Sequence, residues 1–400
     1  MAPLQELIPG LPFDVALHCL VRVPHTSHPQ MQRVCREWES LIASPDFYAL
    51  RKKCATTRSA IVVAQAHKSP KSPEEQQPPK GALPPFGLSL YYPSSRSWER
   101  IPPIPELGDH GGIPLFSGIA AVESKLFIVG GWNPSSFQAM RSVFVFDFSR
   151  GAWSRGSDMP GAARSFFACC AVGDDSIFVA GGHDESKNAL RSCDRYLVRE
   201  DRWEPMPDMT QERDESRGIA IDRSSQRLGP KFGVVSGYGS DSQGEFSRSA
   251  EFLDPATGKW SRAEDLIDDS LVSHRDGTNL FVGAGDSIVY CCSRSSGEIW
   301  RLDCCDHPRN ATNRCSRRVG QLPANCGKAV AACAGISGGG VVVLGQDERG
   351  VLAGFAPPDR RDRRDSVSDS KDSATTWVDV LGDGGDEFRG VVQAACSIEL

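Results

Sequence analysis

The sequence predicts a small all-α unit followed by an all-β propeller, and three observations carry that prediction. Trp98, Trp153, Trp203 and Trp260 recur roughly every 50 residues inside one repeated phrase. Apolar, β-branched runs that end in glycine stand upstream of them, as in Ile177–Ala180 before Gly181-Gly182. The first fifty-odd residues lack this phrase and place apolar residues at helical spacing instead.

The helical unit comes first. Pro12 stands near a helix start, where its missing N–H is harmless. Over Asp14–Val21, the residues Val15, Leu17, Leu20 and Val21 recur as a buried stripe does. A Pro/His-rich break (Pro24–Pro29) precedes a second helix, Met31–Ile42, with Val34, Cys35, Trp38, Leu41 and Ile42 on one face. Ser44-Pro45 ends it, and Asp46–Lys53 reads as a third. So small a piece buries too little surface to be very stable by itself, so its apolar face calls for a partner.

The repeat is then read from its offsets. Seven positions before each Trp stands a large residue: Tyr91, Phe146, Tyr196 or Leu253. Six positions after it comes Ile104, Met159, Met209 or Leu266, and three repeats carry Arg-Ser twelve before it, at Arg141, Arg191 and Arg248. Each period divides into four short strands, with Gly, Pro, Asp and Ser at the breaks. Such a sheet cannot bury both faces alone, and radial closure solves this while leaving short edges.

These phrases resemble the Kelch repeat, over about residues 60–400. Two later periods are degenerate: one places Trp300 in the aromatic-strand slot, and the next follows Val341–Gly345 and Val351–Phe355 with Trp377. Six blades are therefore expected. The first lacks its innermost strand, and Arg389–Cys396 resembles the small-residue strands, so the C-terminal strand is expected to close blade one and remove an open edge. The N-terminal residues resemble the F-box: Leu11-Pro12, then Val34-Cys35-Arg36 with Trp38, then Leu41-Ile42 and Ser44-Pro45 before Phe47. His25–Gln32 departs from the usual link between its helices. The expected domains are an F-box over 1–55 and a Kelch propeller over 56–400, with disordered insertions about 66–85 and 357–375.

The F-box resemblance implies docking onto the Skp adaptor of a cullin–RING ligase through Leu11, Pro12, Leu17, Leu20, Val34, Cys35, Trp38, Leu41 and Ile42. Target recognition is expected on the propeller face that gathers the second-to-third and fourth-to-first connections, because loops on a rigid scaffold carry binding. Its candidates are Trp132, Arg164, His183, Asp184, Arg213, Asp214, Arg217 and Tyr238, with Arg164 and Arg217 read as opening the innermost strands. The Trp residues of the repeat are read as core, and Arg141, Arg191 and Arg248 as scaffold.

Composition narrows the classes. The 400 residues are 40% hydrophobic and 24% charged with a net charge of −6, which gives no reason to expect nucleic acid or an anionic membrane as partner. The N-terminus has no basic segment before an apolar core, so the 14 cysteines read as reduced thiols of the cytosol or nucleus. Asn310-Ala311-Thr312 is then a silent sequon. Cys304, Cys305, His307 and Cys315 lack a second CxxC pair, so no metal is expected, and no cofactor motif occurs. His183-Asp184-Glu185 has no accompanying nucleophile, and a copper-oxidase propeller would need a Tyr, Cys and His constellation that is not seen. The chain therefore reads as a non-catalytic ligase subunit.

Several phrases are similar to one plant group of Kelch F-box proteins: Leu7–Pro12, Arg164–Ala168, Val179–Glu185, Met209–Glu215 and Val392–Cys396. That resemblance implies phenylalanine ammonia-lyase as the target, marked for proteasomal turnover with lowered phenylpropanoid flux. Cytokinin response regulators as target, or a non-ligase Kelch scaffold, are the alternatives.

Overall fold

The computed structural model describes residues 6–66, 85–108, 112–223, 228–264, 266–267, 279–283, 288–294, 296–303, 316–322, 328–336, 340–346, 351–356, 376–379, 388 and 390–400. Cys304, Cys305, His307, Cys315 and most of both expected insertions lie outside the described residues.

The helical unit has four helices: α1 (Phe13–Leu20), α2 (His28–Met31), α3 (Arg36–Ile42) and α4 (Pro45–Lys53), with a 3-10 turn at His25–Ser27. The expected second helix is therefore broken in two. Cys35 is fully extended (φ −160°, ψ 165°) and serves as the N-cap of α3, while the Gln32 side chain of the break reaches the propeller. Leu20, Val21, Met31, Ile42 and Phe47 form the core of the unit, and Trp38 Nε1 donates to Leu7 O at 2.7 Å. Ser44 caps α4 by accepting from Phe47 N, with Pro45 at the first helical position, where proline is harmless.

The first sheet takes β1 (Ser59–Ala66), β2 (Phe86–Tyr92) and β3 (Ser97–Arg100). Next come β4 (Gly118–Val122), β5 (Lys125–Val129), β6 (Val143–Asp147) and β7 (Ala152–Gly156), then β8 (Ala168–Val172), β9 (Ser176–Ala180), β10 (Cys193–Leu197) and β11 (Arg202–Met206). The fourth sheet holds β12 (Arg217–Arg223), β13 (Leu228–Val235), β14 (Ala250–Asp254) and β15 (Lys259–Ala263). The fifth holds β16 (Leu280–Gly283), β17 (Ile288–Cys292), β18 (Glu298–Asp303) and β19 (Ser316–Gln321). The sixth holds β20 (Lys328–Ile336), β21 (Gly340–Gln346), β22 (Val351–Ala356) and β23 (Thr376–Asp379). The last strand, β24 (Val392–Glu399), returns to β1, so that sheet runs β24-β1-β2-β3.

The blade count needs a correction. Five blades, not six, are built from four consecutive strands, because the first period supplies only three. The remaining four-stranded sheet is a composite of the two ends of the fold, with Val62 opposite Cys396 and Ala64 opposite Ala394. Innermost strands pack in a ring: β4 on β8, β8 on β12, β12 on β16, β16 on β20, β20 on β24 and β24 on β4. Between each pair of neighbouring sheets lies a separate apolar core.

The offsets of the repeat have physical causes. Seven residues separate partners across the hairpin of the two outer strands: Tyr91 faces Trp98, Phe146 faces Trp153, Tyr196 faces Trp203 and Leu253 faces Trp260. The aromatic pairs meet at 5.0 to 5.1 Å between centroids, a contact of about 0.5–1.5 kcal/mol beyond burial. The indoles also stitch blades together. Trp153 Nε1 donates to Pro102 O, Trp203 Nε1 to Ser157 O and Trp260 Nε1 to Pro207 O. Each acceptor lies four residues beyond the Trp of the preceding repeat. Ile104, Met159 and Met209 are buried plugs in the same step.

Candidate functional site

In an antiparallel four-stranded blade, the second-to-third and fourth-to-first connections share one end of the propeller. Here they are tied together by isolated bridges in three successive blades: Leu115 to Trp132, Ser165 to His183 and Asp214 to Tyr238. The paired glycines make room for this. Gly131 (φ +85°) and Gly182 (φ +77°) run so close to the neighbouring loop that a Cβ would stand 2.5 Å from Leu115 O and 2.3 Å from Ser165 O.

The residue after each bridge is strained. Phe116, Phe166 and Glu215 have φ of 55°, 57° and 50°, a left-handed conformation that costs a non-glycine residue about 1 kcal/mol or more. Two of these side chains meet across neighbouring loops. Phe116 stacks on Phe166 at 4.1 Å, Phe166 stacks on His183 at 5.2 Å, and Trp132 meets both phenylalanines edge-on. Phe137, at the tip of the β5–β6 loop, has φ 56° and stands 54% exposed. Asn133 holds that loop by accepting from Ser135 N and Ser136 N, as Asp184 accepts from Ser186 N and Asn188 N in the next blade.

The polar candidates divide by burial. His183 bridges two blades, with Nε2 3.0 Å from Ser165 Oγ and Nδ1 2.9 Å from Asp214 Oδ2. The order Ser, His, Asp has the geometry of a nucleophilic relay, but Ser165 is completely buried, so the chain acts as a clamp. Arg164 lies four residues ahead of β8 and does not open it. It is buried and donates to Asp194 Oδ2 at 3.1 Å and to Ser192. Arg213 is its counterpart in the next blade, since Gly131 N bonds Arg164 O and Gly182 N bonds Arg213 O. Arg213 and Glu251 form a 3.1 Å ion pair with neither side chain exposed, and Arg213 also donates to Ser236 O and Ser249. Burial holds both guanidinium groups below their usual range. Both are braces between strands. Arg217 does open β12 and reaches the propeller axis, and the Tyr238 hydroxyl donates to Glu215 Oε1 at 3.0 Å. The exposed part of this face thus includes Phe137, the loop around Asp184 and residues 243–245 of the β13–β14 connection, with Trp132, Phe116, Phe166 and Glu215 half-buried.

On the helical unit, the adaptor candidates also spread in depth. Leu20 and Ile42 are core; Leu17, Trp38 and Leu41 pack against that core; Leu11 and Cys35 are half-buried. Pro12 and Val34 are exposed, Val34 to 63%. Phe13 and Val15, which the expected stripe left out or buried, stand 50% and 43% exposed. Ala16, and not Val15, is the inward residue of that turn.

The helical unit is anchored at the other end of the propeller. Gln32 Nε2 donates to Ser149 O at 2.9 Å in the β6–β7 connection, and Tyr48 Oη donates to Glu399 O at the end of β24. Arg51, 2% exposed, donates to the carbonyls of Val21, Val23 and Thr56 and approaches Leu400 O at 3.5 Å. His25 Nε2 lies 3.1 Å from Tyr92 Oη, and the His25 ring meets Phe148 edge-on. His28 Nε2 lies 3.3 Å from Arg51. Burial, with Arg51 and neighbouring charges, lowers both imidazoles to about 4.

Cys169 lines the channel, and burial pushes its thiol up to about 12, so it is an inert packing group. Among the described residues no three His, Cys, Asp or Glu side chains gather as metal ligands.

The molecule thus has two distinct ends, bridged aromatic loops at one and the helical unit at the other. The F-box domain signature matches residues 8–50, and the Kelch motif matches residues 115–160 and 164–210. F-box/kelch-repeat protein At1g80440 of Arabidopsis thaliana is 33% identical over 99% of this chain and 100% of its own length. At2g44130 of the same plant is 37% identical over 74% of this chain and 72% of its own, and SKIP20 is 39% identical over 65% and 67%. The chain belongs to the plant F-box/kelch-repeat family. An F-box joined to Kelch repeats implies a substrate-recognition adaptor of an SCF-type ubiquitin ligase, docking the Skp adaptor and through it a cullin–RING ligase. Proteins of this family are generally substrate adaptors and not catalysts.

Proposed function

We propose that this chain selects phenylalanine ammonia-lyase for ubiquitination in the cytosol or nucleus. The Skp adaptor covers Pro12, Phe13, Val15 and Val34, and the target sits on the loops around Trp132, Phe137, Phe166, His183 and Asp184. The observation that carries the two-ended part of this reading is placement: the exposed apolar residues of the helical unit and the aromatic loops lie at opposite ends of one braced body. The identity of the target rests on the phrases shared with the plant group named above.

The test separates the ends. Leu11→Ala with Pro12→Ala is expected to abolish capture of the Skp adaptor and spare capture of the enzyme. Trp132→Ala with Phe137→Ser is expected to do the reverse. The half-life of phenylalanine ammonia-lyase should lengthen with either pair. Capture of a cytokinin response regulator in place of the enzyme, or a half-life indifferent to both pairs, overturns the assignment of the target.

A further inference from the structure

A cavity of about 130 Å³ opens on the propeller axis, lined by Ser117, Phe167, Cys169, Arg217, Phe281 and Gln393 among others. Its polar lining includes the donors of Arg217 and Gln393. Gln393 reaches in from β24, and its Nε2 is buried with no hydrogen-bond partner. Arg294, in the β17–β18 turn, comes close enough to act on Arg217, and its own Nε is likewise buried and unbonded. Burial and then Arg294 lower the Arg217 guanidinium to about 10. Glu215 acts as an opposing charge on both arginines. No Asp or Glu is among the described residues lining the cavity.

A buried donor such as Gln393 Nε2 with nothing to donate to is costly, and the Arg217 guanidinium beside it in the lining favours a charged acceptor. Both demands are met by one negatively charged, acceptor-rich group. Size limits that group. Pockets for drug-sized ligands run to roughly 300 Å³ and above, so this cavity admits a headgroup or a side chain and not a whole metabolite. We infer that the axial cavity binds a carboxylate or phosphate group, held by Arg217 and Gln393 with Arg294 behind them. The group comes either from a free anion or from an acidic side chain of the target, and only that second source rests on the proposed recognition face.

The test uses the full chain in complex with the Skp adaptor, titrated calorimetrically with inorganic phosphate and with glutarate at constant ionic strength. Saturable binding of either is expected, weakened at least about tenfold by Gln393→Leu and by Arg217→Gln, since a hydrogen bond to a charged group carries that much. Gln393→Leu nearly conserves volume, so it serves if Arg217→Gln fails to fold. No binding of either anion, or binding that Gln393→Leu leaves unchanged, overturns the inference. Adding phosphate to the capture of phenylalanine ammonia-lyase then identifies the source. Loss of capture assigns the cavity to an acidic residue of the target, and undiminished capture assigns it to a free anion. If the enzyme is captured while neither anion binds, the cavity inference fails and the ligase reading stands; anion binding without enzyme capture gives the converse.

Discussion

Acid should loosen the joint between the helical unit and the propeller through His25 and His28. Both rings are nearly inaccessible, at 5% and 4% exposure, and burial together with the Arg51 charge lowers each from 6.5 to about 4. Both are neutral in the folded protein at pH 7. In the unfolded chain they take up a proton near 6.5, so the unfolded state binds more protons as the pH falls. Their contribution is therefore complete above 6.5 and is lost as the pH drops through the window from 6.5 to about 4. Between pH 7 and pH 5, each histidine accounts for roughly 2 kcal/mol by linkage, and the pair for roughly 3–4 kcal/mol. That is a large share of the stability of an ordinary domain. Urea unfolding at the two pH values, followed through tryptophan fluorescence, measures it directly. His25→Asn and His28→Gln should each remove about half of the pH dependence, and the double variant nearly all of it. An undiminished slope in the double variant would refute the reasoning.

Three further outcomes follow from the packing. Glu251→Gln strands the fully buried Arg213 charge and should cost about 3–5 kcal/mol, whereas Arg213→Met with Glu251→Leu should come close to wild type; denaturant midpoints distinguish the two. Trp203→Phe keeps the ring stack on Tyr196 but loses the indole bond to Ser157 O, and should lower stability by about 1 kcal/mol. Removing residues 392–400 uncovers the edge of β1 and deletes buried Val392, Ile398 and Leu400. At about 1.5–3 kcal/mol each, these amount to roughly 5–9 kcal/mol, enough to melt the ring well below the intact protein in a calorimetric scan.

What was legible in the sequence was whatever repeats for a mechanical reason. Tyr196 announces itself seven residues before Trp203 because the two face each other across a hairpin, and Met209 six after it because it plugs the same step. The bridged-loop end was harder. Arg164 was matched with Arg217 by chemistry and nearness to a strand, although its equivalent is Arg213. Only the loop bridges from Gly131 and Gly182 reveal that register. Phe116, Phe166 and Phe137 were missed because left-handed backbone is announced by glycine, and none of them is glycine. In the helical unit, Val15 fits a buried stripe as well as Ala16 does. Periodicity places apolar residues on a face but does not say whether the fold or a partner covers it. Just ahead of the break at Cys35, Gln32 reaches Ser149, a contact across 117 positions that no local pattern contains.

The composite sheet also imposes a schedule. β24 is synthesised nearly 300 residues after β3, so at roughly 5–20 residues per second the ring stays open for about 15–60 s of translation. Throughout that interval the helical unit has left the ribosome while its brace from Glu399 and Leu400 has yet to be made. The helical unit therefore exists through that interval without the contacts that later brace it, and its seat on the propeller is complete only once Glu399 and Leu400 have been made.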